Sequence, residues 1–269
     1  MKVILSRKGF DSSFGGYPSP ILPDGRLISL PIPQKESGIR YCDIRIDKNE
    51  TYLDLMKTLG MKFDTSSHCH LDPDLRHGAY NRKSGWKPLF GQMSAAQSHL
   101  QNKGVKEEDL FLFFGWFQKT QKKRKNLLFK RSDTGQHLIY GYMQIASIKQ
   151  LHHFEVIDEW MQYHPHASYE HKDNKFNTLY IARDSLSWNK SIPGAGVFRY
   201  HDDLVLTKKG YTRTIWDLPK FFKNVEISYH DEQSWKHGSF KSASRGQEFV
   251  IDDDGQVEKW VKKLISKSI

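Results

Sequence analysis

Leu110-Phe111-Leu112-Phe113-Phe114-Gly115-Trp116-Phe117 is the stretch that decides the fold. Aromatic side chains favour a pleated surface, so the run reads as a strand from Asp109 to Gln118. His137 to Ile148, with Gly141 inside it, reads as its partner. Between them lies a basic stretch, Lys119 to Lys130, expected to turn the chain back.

Working outward, Lys2 to Ser6 predicts a short buried strand. Gly, Ser and Pro make the following segment, up to Pro20, a loop. Asp24-Gly25 predicts a hairpin turn between Ile21-Leu22 and Leu27-Ile28-Ser29-Leu30, with Pro31 and Pro33 ending the second strand. Tyr41 to Ile46 alternates like a strand. Thr51 opens a helix over Tyr52–Leu59 that Gly60 closes. A second helix covers Ser94 to Leu100, with Ser94 as N-cap and Gly104 as stop. Glu155 to Tyr163 predicts a short helix, with Trp160 and Met161 in the core. Thr178–Ala182 and Val197–Leu206 predict strands. Gly255 to Ile265 predicts an amphipathic helix with Val257, Trp260, Val261 and Leu264 on one face. Short strands with few helices imply an α+β fold: a mixed, mostly antiparallel sheet or partial barrel with flanking helices. The texture changes near Lys106. The chain is expected to form a single domain over 1–269, or to subdivide into 1–105 and 106–269.

Hydrophobic residues make up only 38% of the 269, yet 16 Phe, 12 Tyr and 7 Trp supply enough bulky apolar surface for a core. The 41 Lys and Arg exceed the 31 Asp and Glu, giving a net charge of +10. Such an excess favours polyanions, so DNA, RNA or a nucleotide is the expected partner, with simple solubility as the plain alternative. Cys42 and Cys69 are the only cysteines, which excludes a disulfide scaffold and fits a reducing compartment. No apolar run has signal-peptide or membrane-spanning length, so a cytoplasmic location without membrane contact is expected.

Several constellations could carry chemistry. In His68-Cys69-His70-Leu71-Asp72-Pro73-Asp74-Leu75-Arg76, an extended backbone puts His68, His70 and Asp72 on one face. That face could hold a divalent metal, or set a general base beside an acid; the plain alternative is a polar surface loop. The opening loop carries Arg7, Lys8, Asp11, Ser12 and Ser13 with Gly15-Gly16, small residues whose N–H groups could face a phosphate. It matches neither the P-loop nor the dinucleotide fingerprint. His164 and His166 could line a cleft. Lys122, Lys123 and Arg124 suit nucleic-acid backbone, or a solvated turn. Arg245 and Glu248 could reach a ligand, or simply form an ion pair. No Gly-x-Ser-x-Gly is present, which disfavours a nucleophile-elbow hydrolase.

Ser6 to Asp11, Pro18 to Gly25, Leu30-Pro31-Ile32-Pro33, His70 to Leu75, and Gly91-Gln92 through Phe117 together resemble the nucleotide modification associated domain 3 family. The resemblance runs over most of the chain. It implies a setting in bacterial and phage systems that make, edit or recognise modified bases, and transfers no catalytic residue. More locally, Glu108–Phe114 with Tyr140–Ile148 is similar to the strand pair of PUA-like barrels, which bind RNA or modified bases.

Two functions follow as expectations. In the first, the chain is an enzyme of nucleotide or nucleic-acid base modification. His70, Asp72, Asp74 and Asp11 would serve catalysis, Arg7, Lys8, Gly15, Gly16 and Arg76 would hold phosphate, and His68, His70 and Asp72 would be the metal set. In the second, the chain is a non-catalytic PUA-like reader of modified bases that uses aromatic stacking and the Lys122–Arg124 patch. The first requires the Arg7–Asp11 and His70–Arg76 segments to meet at one pocket.

Overall fold

The decisive run is a strand with both faces buried. In the computed structural model, which describes all residues except 36, 125, 152–156, 168–173, 237, 244–245, 253–254 and 269, Phe111, Phe113, Phe114 and Phe117 are all fully buried. Strand alternation sends Phe111, Phe113 and Phe117 to one side, where they meet Phe90, Tyr180 and Tyr140. Phe114 goes to the other side, against His137, Trp216 and Phe249. A strand covered on both faces reads as a continuous apolar run, which is why this one does not alternate.

In chain order the strands are β1 (Val3–Arg7), β2 (Ser19–Ile21), β3 (Leu89–Gln92), β4 (Leu110–Lys123), β5 (Asn126–Phe129), β6 (Gln136–Gln150), β7 (Thr178–Ala182), β8 (Ser185–Leu186), β9 (Asn189–Pro193), β10 (Ala195–Val197), β11 (Ile215–Trp216), β12 (Glu226–Ile227), β13 (Trp235–Lys236), β14 (Ser239–Lys241) and β15 (Glu248–Asp252). The helices are α1 (Tyr52–Thr58), α2 (Ser94–Asn102) and α3 (Gln256–Lys267). The main sheet runs β12-β15-β1-β4-β6-β7-β3, with β10 on β6 and with β2 and β5 on β4. β1 and β2 pair with β4 in parallel, and the other pairings are antiparallel. The fold is therefore α+β, with a mixed, mostly antiparallel sheet. The sheet curls: Gln92 at the β3 end hydrogen-bonds Glu248 on β15, near the opposite end. Gly141 on β6 is required where β10 crosses, because a Cβ there would lie 2.7 Å from Leu75 and 2.9 Å from the Gly196 carbonyl.

Local signals explain the rest. Thr51 caps α1 through a capping box with Asp54, and Gly60 follows its C-terminus in the left-handed region at φ 75°. The Asp24-Gly25 turn closes with Leu22 and Arg26 bonded N–H to carbonyl. In α3, Val257, Val261, Leu264 and Ile265 are buried, and Trp260 packs edge-on to Phe222.

Three local expectations are corrected. Tyr41–Ile46 is a series of turns, because the Asp43 carboxylate captures the Arg40 N–H and guanidinium and bends the chain; Tyr41, Ile44 and Ile46 are nevertheless buried. Ser94 is the first residue of α2, and Met93 occupies the cap position with no side-chain bond. The Val197–Leu206 strand stops at Val197, after which Tyr200 pairs with Gly25 and Asp202–Leu204 forms a single 3-10 turn. The helix expected from Glu155 falls partly outside the described residues; Glu159–Met161 is one 3-10 turn, with Met161 buried.

His137, at the start of β6, accepts the indole N–H of Trp216 at 3.2 Å. Burial, reinforced by Arg213 and Arg7, pushes its pKa down to about 3 from an ordinary 6.5. Between those values the unfolded chain binds a proton that the folded chain refuses, so this group lowers stability as pH falls below 6.5. Urea unfolding across that window should show a loss of up to about 1.4 kcal/mol per pH unit from this group. His137→Gln should flatten that slope; an unchanged slope refutes the assignment.

Candidate functional site

A second hydrophobic cluster, built from Phe10, Leu30, Tyr41, Leu55, Met56, Cys69 and Leu71 among others, underlies the N-terminal loops and α1. Its rim carries two extended segments side by side: His70 donates its N–H to the Ile32 carbonyl, and Gln34 donates to the His68 carbonyl. This pairing fixes His70 and Asp72 opposite β3. From the other side comes the 3-10 turn Pro165–Ala167, held by His164 N–H to the Met161 carbonyl and Ala167 N–H to the His164 carbonyl.

Asp72 is the hub. Its Oδ1 accepts the Gly91 N–H at 2.7 Å and lies 3.3 Å from His164 Nε2, while its Oδ2 lies 3.8 Å from His70 Nε2. Its side chain is 4% exposed. Burial alone would raise its pKa, but the close approach and charge of His164, with His166 and His70 beyond, hold it at about 2. His164 Nδ1 accepts the His166 backbone N–H, so the ring proton sits on Nε2, toward Asp72. His70 Nδ1 pairs with Gln34 Oε1 at 2.7 Å, and His166 Nδ1 pairs with Asn177 Oδ1 at 2.8 Å. The Asn177 amide orientation is set by its Nδ2–H donating to the His166 carbonyl at 2.8 Å. Burial pushes His166 down to about 3, so it is neutral near pH 7. One ligand-type atom each from His70, Asp72 and His166 all lie within 4.8 Å of one another. His70, at 15% exposure, is the most open of these side chains. A cleft next to Asp72 is lined by Ser29, Pro31, Tyr52, Arg76 and Tyr140.

The structure distributes the expected site residues as follows. His70 and Asp72 are together; His68 lies outside the cluster, bridged to Arg40, and His166 stands where His68 was expected. Asp74 is fully engaged: Arg82 Nη1 lies 2.6 Å from Oδ2, Arg82 Nη2 donates to Oδ1 at 2.7 Å, and the Tyr163 hydroxyl donates to Oδ2 at 2.6 Å. Arg76 donates to the Ile46 carbonyl and the Tyr52 hydroxyl. Lys8 pairs with buried Glu248 at 2.8 Å and lies over the Phe90 ring, next to Gly91. Arg7 points to the Gly246 carbonyl, in the electrostatic neighbourhood of Asp11 and Arg213. Asp11 satisfies its own loop, with Oδ1 accepting from Ser13 and Phe14 and its carbonyl accepting from Gly16. Of the opening motif, then, Lys8 turns toward the Phe90 ring, while Arg7 is engaged by the Gly246 carbonyl and Asp11 by its own loop. Lys122, Lys123 and Arg124 lie at the exposed tip of the β4–β5 hairpin. Arg245 lies outside the described residues.

Sequence reasoning missed Gln34, Gly91 and Asn177. Only Gly91 left a trace, as a glycine inside a strand. A Cβ there would lie 2.3 Å from the His166 ring. Gly91→Ala should therefore displace His166 and cost about 1–3 kcal/mol in urea unfolding; a neutral result would show that the ring can move aside freely.

No helix among the described residues is long and apolar enough to cross a membrane. No curated protein and no solved structure matches the chain. The family model for nucleotide modification associated domain 3 matches residues 2–252, nearly the whole length; the chain belongs to that family.

Proposed function

We propose that this protein is an enzyme that makes or edits a modified nucleotide or nucleic-acid base, with His70, Asp72 and His166 as its working centre. One observation carries the reading: two segments far apart in sequence place two imidazoles around a carboxylate that is buried yet held ionised. A structural carboxylate at this depth is ordinarily closed off by a permanent cation, as Arg82 closes off Asp74. Asp72 is instead flanked by imidazoles, His164 at 3.3 Å and His70 at 3.8 Å. His70, nearest to solvent, is the member of the cluster placed to meet a bound base, and Asp72 supplies the negative charge at the centre. The family membership supports a nucleotide or nucleic acid as the substrate class.

A second reading, a non-catalytic PUA-like reader of DNA or RNA, draws on the exposed Lys122–Arg124 tip. Its stacking surface would have to lie elsewhere than β4, whose phenylalanines are spent in the core. Mass spectrometry of nucleosides from DNA and RNA of cells with and without the protein separates the two. A base that appears or disappears with the protein supports the enzyme. Unchanged nucleosides favour the reader, if nucleic-acid binding weakens and loses salt dependence when Lys122, Lys123 and Arg124 are together changed to Ala.

A further inference from the structure

We propose that His70, Asp72 and His166 hold a divalent first-row transition metal, with Gln34, Asn177 and His164 as positioning residues. The inference rests on the reading above only in taking this cluster to be the working centre; its chemistry is argued from the hydrogen-bond pattern.

Each histidine has one nitrogen assigned. The Nδ1 of His70 meets the Gln34 side-chain oxygen, and the Nδ1 of His166 meets the Asn177 side-chain oxygen. An amide oxygen only accepts, so Nδ1 carries a proton in both rings and Nε2 is the nitrogen that can offer a lone pair to an ion. Asn177 cannot be turned round, because its amide nitrogen is committed to the His166 carbonyl. This is the arrangement found behind metal-binding imidazoles: an outer carbonyl takes the Nδ1 proton, sets the ring plane and raises the basicity of Nε2. Asp72 is divided in the same way. Its Oδ1 takes the Gly91 N–H and lies against the protonated nitrogen of His164, which leaves Oδ2 toward His70. The result is three ligand-type atoms, one from each of His70, Asp72 and His166, within 4.8 Å of one another.

Donor chemistry selects the ion. Two imidazoles and one carboxylate suit Zn2+, Fe2+, Co2+ or Mn2+, whereas Mg2+ and Ca2+ favour all-oxygen shells. Three protein ligands leave a position for water or substrate, as in catalytic rather than closed structural sites. This assigns His164 a different part from its neighbours: it presents a proton, not a lone pair, and so steadies Asp72 without binding the ion.

The test uses the full chain, purified without a histidine tag, stripped with a chelator and titrated with Co2+ while its visible absorption is followed. Saturation at a single ion per chain with a ligand-field band, competed away by Zn2+ and not by Mg2+, is the expected result. His166→Ala and Asp72→Ala should abolish the band, His68→Ala should keep it, and Asn177→Leu should weaken binding by about 10–100-fold. Absence of a band in the wild-type chain overturns the proposal without any variant, since it would mean that a proton alone serves these atoms. A band that survives His166→Ala also overturns it. Metal binding with unchanged cellular nucleosides would leave the site standing and sink the modifying activity instead.

Discussion

Cells carrying Asp72→Asn in place of the wild-type chain should lose the protein-dependent change in nucleoside composition, with turnover down about 10²- to 10⁴-fold. The substitution keeps shape and removes charge. An amide oxygen can still accept the Gly91 N–H, as Oδ1 does now, so the segment should stay in place. What disappears is the anion that His164, His166 and His70 surround. A cation bound there would lose its only charged ligand. The check pairs nucleoside mass spectrometry with far-UV circular dichroism: a folded, inactive variant is expected, and a folded variant with wild-type nucleoside profile would remove Asp72 from the chemistry.

Arg82→Leu should have the largest effect on stability, about 3–5 kcal/mol in urea unfolding. Asp74 is 1% exposed, and Arg82 holds both its oxygens. Burial pushes the Asp74 carboxyl up, and Arg82 and Tyr163 pull against it. The guanidinium also lies 4.5 Å from the Trp86 ring centre and 4.9 Å from that of Tyr163. Removing it strands a buried carboxylate and empties an aromatic cage together. The double change Asp74→Leu with Arg82→Leu should cost clearly less than Arg82→Leu alone, because no unpaired charge remains. Equal losses in the two variants would show that the cage, not the ion pair, supplies the stability. Both lesions should also reduce activity through Tyr163, whose neighbour His164 contacts Asp72, but they would do so together with a lowered unfolding midpoint, unlike Asp72→Asn.

The two carboxylates show how far the sequence could be read. Asp72 and Asp74 stand two apart on one polar segment, and residue type and spacing treat them alike. Their fates differ because Arg82 reaches back to Asp74, while three histidines, two of them on a turn some ninety residues away, close on Asp72. The same holds for His68 and His166. Strand alternation makes His68 the natural companion of His70, but backbone pairing with Arg40 carries it away. Lys8 looked free for phosphate in the sequence and is consumed by Glu248.

The sequence by itself determined what depends on neighbours along the chain. It set the apolar run of β4 and its return in β6, the capping box of α1, the Asp24-Gly25 turn, the buried face of α3 and the family motifs. These follow from side-chain periodicity and from residues that favour particular backbone angles, which act over a few positions. The curled sheet, the partners of each charge and the His70–Asp72–His166 cluster were decided only by tertiary structure. Charges and imidazoles take their roles from whatever lies within about 4 Å, and in a curled sheet those neighbours come from distant parts of the chain.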